Sequence, residues 1–220
     1  MREGPWLSAG LTAIAVGLAF VPGAFEALVL DADGLARGEL WRLLTGHFVH
    51  WSTAHRVWDA GVFFALAAVC ERQGRLRLLA GVGLAGLGVS LGVLALQPEL
   101  DRYAGLSGIV CSLSAWLVLD WMAAQWRLGR RRGVWLGMAG AGAFALKLGF
   151  EWATGTALFA GELAPGVVPV PLAHLLGAGL GLLLGAGLGL LPGAGLGPLP
   201  GAGLGPLPGA PLGPARETPS

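Results

Sequence analysis

Charge is what this sequence has least of. Asp, Glu, Lys and Arg make up only 12% of its 220 residues, about half the share of an ordinary soluble domain. With 55% hydrophobic side chains and a mean hydropathy of +0.69, the composition argues against a water-soluble globule. A basic surplus is missing too: 14 Lys plus Arg stand against 13 Asp plus Glu, a net charge of +1, which leaves nothing to hold a phosphate backbone and argues against a nucleic-acid partner. Cysteine is scarce. Cys70 and Cys111 both sit in apolar runs, where a thiol behaves as a small buried hydrophobe, so no disulfide is expected. The first apolar run, from Trp6, is too long and lacks the small-residue cleavage site of a removable leader. No metal or cofactor is expected, because His47 and His50 have no third ligand facing them.

Long apolar runs are what the sequence does have, near residues 6–30, 54–70, 78–96, 105–123, 134–150 and 171–191. A bilayer needs about 20 apolar residues per helical crossing, and the backbone must satisfy itself there. These runs predict an all-α membrane fold, a bundle of six transmembrane helices in which many glycines permit close packing. Arg72, Arg75 and Arg77 follow the second run and Arg127, Arg130, Arg131 and Arg132 the fourth, which places those loops and both termini in the cytoplasm. The opposite side carries Asp31, Asp33, Glu39, Glu99, Asp101 and Glu162 with only Arg37, Arg42 and Arg102, as suits the outer face of a bacterial inner membrane. From residue 177 the chain repeats an eight-residue Gly-Ala-Gly-Leu unit that becomes proline-rich and cannot stay helical beyond about 191. Residues 1–191 are thus predicted to form the membrane domain, and 192–220 a flexible low-complexity tail without a binding role.

An ionisable side chain near the bilayer centre costs about 2.5–3.5 kcal/mol on insertion scales, so each one needs a reason. His55 and Asp59 open the second run, Ser107 opens the fourth within GLSG, Lys147 and Glu151 close the fifth, and His174 opens the sixth within AHLLGAGLG. In a six-span arrangement all of them lie at one level, toward the outer leaflet. Ser107 stands between Gly105 and Gly108 at a helix amino terminus, where free backbone N–H groups stabilise negative charge. Taken alone, it could equally be a small residue at a helix contact. Gly177 and Gly181 share the face of His174 and let its helix approach a neighbour closely. If that neighbour carries Ser107, the pair suits acyl transfer, His174 taking the proton as Ser107 attacks a carbonyl; a lone His could also be an interhelical hydrogen bond. His55 and Asp59 are four apart on one face and could bound an oxyanion site, Asp59 donating only if protonated, or could simply satisfy each other. Lys147 and Glu151, also four apart, read as either a structural pair or a substrate contact.

The segment GELWRLLTGHFVHWSTAHRVWD, then GLSG, then AHLLGAGLG, in that order on separate spans, resembles the rhomboid family of intramembrane serine proteases over about residues 38–185. Trp41 and Arg42 match the WR pair of that family's first outer loop. The resemblance implies a six-helix core with Ser107 as nucleophile and His174 as general base, and an oxyanion site formed by His55, Asp59 and Gly108. Asp59 replaces the family's usual asparagine, and Cys111 stands where many members carry an aromatic. Lys147, Leu148 and Glu151 look most like the Lys-Leu-x-x-Glu pattern of the rhombosortase branch. That branch is associated with exported, membrane-anchored proteins bearing a carboxy-terminal Gly-Gly motif, an apolar helix and a basic end, which implies such substrates, together with the bilayer, as partners. Two other classes were weighed against this: a catalytically inactive rhomboid-like protein that binds transmembrane helices, and a small transporter, which should show an inverted repeat that the sequence lacks.

Overall fold

The computed structural model describes residues 4–158 and 167–189, so the tail at 192–220, the boundary at 191 and Glu162 lie outside the described residues. An α-helix closes its backbone hydrogen bonds locally, the only economical solution in hydrocarbon, and the chain follows it: α1 (Trp6–Gly17), α2 (Ala24–Leu28), α3 (Ala32–Ala36), α4 (Arg42–Thr45), α5 (Thr53–Gln73), α6 (Arg75–Leu96), α7 (Ser107–Arg127), α8 (Arg131–Thr154) and α9 (Pro171–Gly189). Two short strands, β1 (Leu30–Asp31) and β2 (Arg102–Tyr103), pair antiparallel. Among the described residues, α6, α7 and α8 are long and apolar enough to cross a membrane, while Trp6–Phe20 and Pro171–Gly187 are apolar but shorter. Helix α5 has 21 residues but carries His55, Arg56, Asp59, Glu71 and Arg72, which lower its hydropathy.

The first run departs from the single span expected over 6–30. Helix α1 tightens into a 3₁₀ turn at Leu18–Phe20, and Val21 is extended (φ −98°, ψ 112°), the conformation that a following proline, here Pro22, imposes. Gly23 then takes φ +76° and starts α2 in a new direction. The last residues of the run instead form a loop region with α3 and α4.

Helix α7 is the centre of the bundle, touched by α5, α6, α8 and α9. Phe63, Ala67, Leu78, Val82, Ala85, Ile109, Leu113 and Trp116 form one buried cluster from α5, α6 and α7, joined by Ala15 of α1. Trp116 lies over Gly81, where any Cβ would meet its ring, and the Arg77 guanidinium stacks 4.6 Å from the Trp116 ring while pairing with Asp120. At the same end Glu71 accepts from Leu7 N (3.1 Å), Ser8 N (2.8 Å) and Ser8 Oγ (2.7 Å), satisfying the free amides at the start of α1. The arginine-rich end of the bundle is therefore closed by internal pairs.

The loop region between α1 and α5 is held by Arg42, which donates to the carbonyls of Glu26 (2.9 Å) and Val29 (2.8 Å) and to Glu39 (2.6 Å) while buried. Trp41 donates to Ala27 O (3.3 Å) from an exposed position. Asp31 caps α3 through Gly34 N (2.9 Å), and that hydrogen bond holds its carboxyl below the ordinary range despite the opposing effect of burial.

Candidate functional site

Ser107 is the first residue of α7, and the three residues before it are tied from several sides. Strand β2 pairs Tyr103 with Leu30 of β1. Gly105 N donates to Gly46 O (3.2 Å), and Tyr103 OH donates to Gly105 O (3.4 Å). The imidazole of His47 bridges two carbonyls, Gly86 through Nε2 (2.9 Å) and Gly105 through Nδ1 (3.3 Å). Burial keeps His47 below the ordinary histidine range, so the neutral ring has one N–H to give, and the shorter contact on Gly86 is its natural place. Gly105 itself has φ +124°, and a Cβ there would lie 2.7 Å from His55 Cε1 and 3.2 Å from Asp59 Oδ2. Glycine is thus required twice over, by backbone conformation and by the ring packed against it.

Helix α9 meets α7 backbone to backbone. Any Cβ on Gly177 would overlap the Gly108 carbonyl, and any Cβ on Gly181 the Ser112 carbonyl. These two contacts keep one register, so the helices run parallel and His174, one turn before Gly177, is delivered to the start of α7. On its other side α9 packs Leu176 against Gly92 and Leu180 against Gly88, antiparallel to α6. Ser107 and His174 consequently line the same cavities. One, about 430 Å³, opens toward the loops past Trp51, Tyr103, Asp101 and Val168. The other, about 300 Å³, lies among α5, α7 and α8 and is walled by Trp58, Val62, Val110, Phe144 and Lys147, with His55, Asp59 and Cys111 also lining it.

The structure adds a partner to His174 that spacing alone does not reveal. Glu151 of α8 takes His174 Nδ1 on Oε2 at 2.8 Å, accepts Lys147 Nζ on the same oxygen at 2.7 Å and accepts Leu158 N on Oε1 at 2.7 Å. Its side chain has no exposed surface. The i,i+4 spacing of Lys147 and Glu151 was readable; the contact across 23 residues to His174 was not, although Glu151 ends α8 where His174 begins α9.

On the opposite wall Asp59 Oδ2 lies 3.1 Å from His55 Nε2 and 3.4 Å from His50 Nε2. The two rings meet edge to face at 5.2 Å. His50, which precedes α5, has a fully buried imidazole, and burial is the main reason that its pKa falls below the ordinary range. Of the expected oxyanion residues, His55 thus borders the cavity beside Gly105, Asp59 faces imidazoles, and Gly108 is enclosed by Val89, Ala173 O and Tyr103 OH. Sequence reasoning gives no catalytic role to His47, His50 and Tyr103, which fall outside the apolar runs. Cys70 and Cys111 are buried and unpaired. Among the described residues no group of three or more His, Cys, Asp or Glu has a metal-binding arrangement.

The family model for the Rhomboid domain matches residues 37–190, well over half of the chain. No curated protein matches it.

Proposed function

The chain belongs to the rhomboid family, whose members are in general intramembrane serine proteases, and from that premise we propose that it cleaves peptide bonds with a Ser107–His174 dyad. The observation that supports the reading is the glycine contact of α9 with α7, through which Ser107, at the amino terminus of α7, and His174 line the same two cavities. The helices are read as six crossings with both termini in the cytoplasm and the cavity toward the periplasm of a bacterial inner membrane.

A substrate helix reaches Ser107 through the apolar cavity among α5, α7 and α8 and must unwind there, because a helix hides its carbonyls in internal hydrogen bonds. Two consecutive glycines lower the cost of unwinding. This fits the rhombosortase-like substrate class: exported proteins anchored by a carboxy-terminal Gly-Gly motif, an apolar helix and a basic end. Ser107 Oγ attacks the carbonyl as His174 takes its proton. His55 and the backbone N–H groups that open α7, Gly108 included, receive the oxyanion, with Asp59 orienting His55. His174 then protonates the leaving amine, and water releases the acyl-enzyme.

Purified protein incubated with a Gly-Gly-tailed membrane substrate should cut it near the outer interface, and Ser107→Ala and His174→Ala should each abolish cutting. Undiminished cleavage by either variant rejects the dyad. Substrate bound by the wild type without cleavage under any condition would instead indicate an inactive helix-binding member of the family.

A further inference from the structure

We propose that Glu151 is a positioning residue for His174, turning the dyad into a Ser107–His174–Glu151 relay that two other groups, Lys147 and the Leu158 amide, hold in place. The inference rests on the function proposed above and deepens it. A carboxylate placed only to neutralise Lys147 would need one contact and could keep its other oxygen in the open. Glu151 does neither. One oxygen is shared between Lys147 Nζ (2.7 Å) and His174 Nδ1 (2.8 Å), the other accepts Leu158 N (2.7 Å), and none of the side chain is exposed. A carboxylate with every oxygen committed is a rigid acceptor aimed at one imidazole nitrogen.

The chemistry follows from which nitrogen is taken. A carboxylate can only accept, so His174 gives it the Nδ1 proton, and the lone pair is left on Nε2. Nε2 is then the base: the Ser107 O–H bond breaks, its proton moves to Nε2, and the Oγ electron pair forms the bond to the carbonyl carbon as the carbonyl oxygen becomes the oxyanion. When the C–N bond breaks, the same proton passes from Nε2 to the leaving nitrogen. Glu151 exchanges no proton at any step; it fixes the ring and faces the positive charge that appears on it. Lys147 tempers that field, since it competes for the same oxygen.

Other charged and titratable groups share the two cavities with His174: His55 and Asp59 from α5, Cys111 from α7, the exposed Arg102 and buried Tyr103 from β2, and the exposed Glu99 and Asp101 of the preceding loop. No residue of α6 lines either cavity. Only Glu151 is hydrogen-bonded to the ring among the described residues.

The test is the rate of fluorophosphonate labelling of full-length protein in detergent, followed against pH for wild type, Ser107→Ala, Glu151→Gln, Glu151→Asp and Lys147→Met. Wild type should label and Ser107→Ala should not. Glu151→Gln should label about a hundredfold more slowly or worse, and its rate should rise with pH around a lower midpoint, because the protonated ring has lost its anionic partner. Glu151→Asp should recover part of the rate. Lys147→Met should move the midpoint the other way, an independent reading if Glu151→Gln does not fold. A Glu151→Gln rate and midpoint equal to wild type, or a Lys147→Met midpoint that does not move, overturns the role of Glu151 while leaving Ser107 as nucleophile. Wild type that fails to label, or Ser107→Ala that labels equally, overturns the nucleophile itself and the relay with it.

Discussion

Helices α8 and α9 both pack on α7, and they do so by opposite means. Helix α9 is held by shape: its glycines lie on the Gly108 and Ser112 carbonyls with no room for a single added carbon. Helix α8 stands almost clear, burying 11% of its apolar window where α6 and α7 each bury 44%. It touches α7 near its start, where Gly133 meets Gln125 and Gly137 meets Met122, and again near its end, where Leu148 packs with Cys111 and Ala115 while Glu151 bonds His174 of α9. Between them, Gly140 and Gly142 have open space around them. His174 is therefore placed by steric contact, which admits one geometry, while the Glu151 carboxylate is placed by hydrogen bonds at the end of a helix with few other anchors. One position is sensitive to volume, the other to charge.

The largest expected effect comes from adding volume to each helix in turn. Gly177→Leu must separate two backbones that cannot yield, and should cost more than the roughly 1–3 kcal/mol typical of overpacking and abolish cleavage. Gly140→Leu, a change of the same size on α8, should leave both thermal unfolding in detergent and cleavage near wild type. Equal activity in the two variants would mean that the α7–α9 contact does not set the site.

A second substitution asks whether the α5 wall belongs with α9 or with α8. Gly105→Ala adds one carbon at a positive φ and against the His55 ring. Strain of about 1–3 kcal/mol should accompany a fall in labelling of a hundredfold or more, as Ser107 and His55 move apart. A fall of a few fold would assign this wall to the yielding kind. Smaller still for catalysis is Arg42→Ala. It strips the Glu26 and Val29 carbonyls of a buried donor, which should lower stability by about 2 kcal/mol while the folded fraction labels at close to the normal rate.

The shape-determined half of the site was legible in the sequence because its information is local. Gly177 and Gly181 follow His174 at one-face spacing, and Gly105 and Gly108 flank Ser107, so a close approach of two helices could be anticipated from spacing alone. The half determined by polar contacts was not. Lys147 and Glu151 already explain each other four residues apart, and nothing local says that the same carboxylate also serves an imidazole on another helix. His47 and His50 lie in a stretch of mixed polarity, and only the folded loop buries them beneath Gly105 and beside Asp59. The break at Val21–Gly23 has a local signal in Pro22, but the hydropathy that marks an apolar run does not register where a backbone turns.

The effect expected at Asp59 falls on rate alone, and it tests the charge-sensitive side of the comparison most finely. If Asp59 acts through its ion-pair contact with His55 Nε2 at 3.1 Å, Asp59→Asn keeps an oxygen facing the ring and loses the charge, which is worth about a factor of ten in rate. Asp59→Leu removes the acceptor as well and should cost clearly more. Steady-state cleavage by the two variants separates three cases. A modest loss in Asn and a larger one in Leu fits a carboxylate that orients His55. A rate at or above wild type in Asn assigns Asp59 a donor role toward the oxyanion, since an amide N–H does that better than an acid. Complete loss in Asn makes the negative charge itself indispensable, and α5 would then stand with α8 as a wall whose contribution is electrostatic.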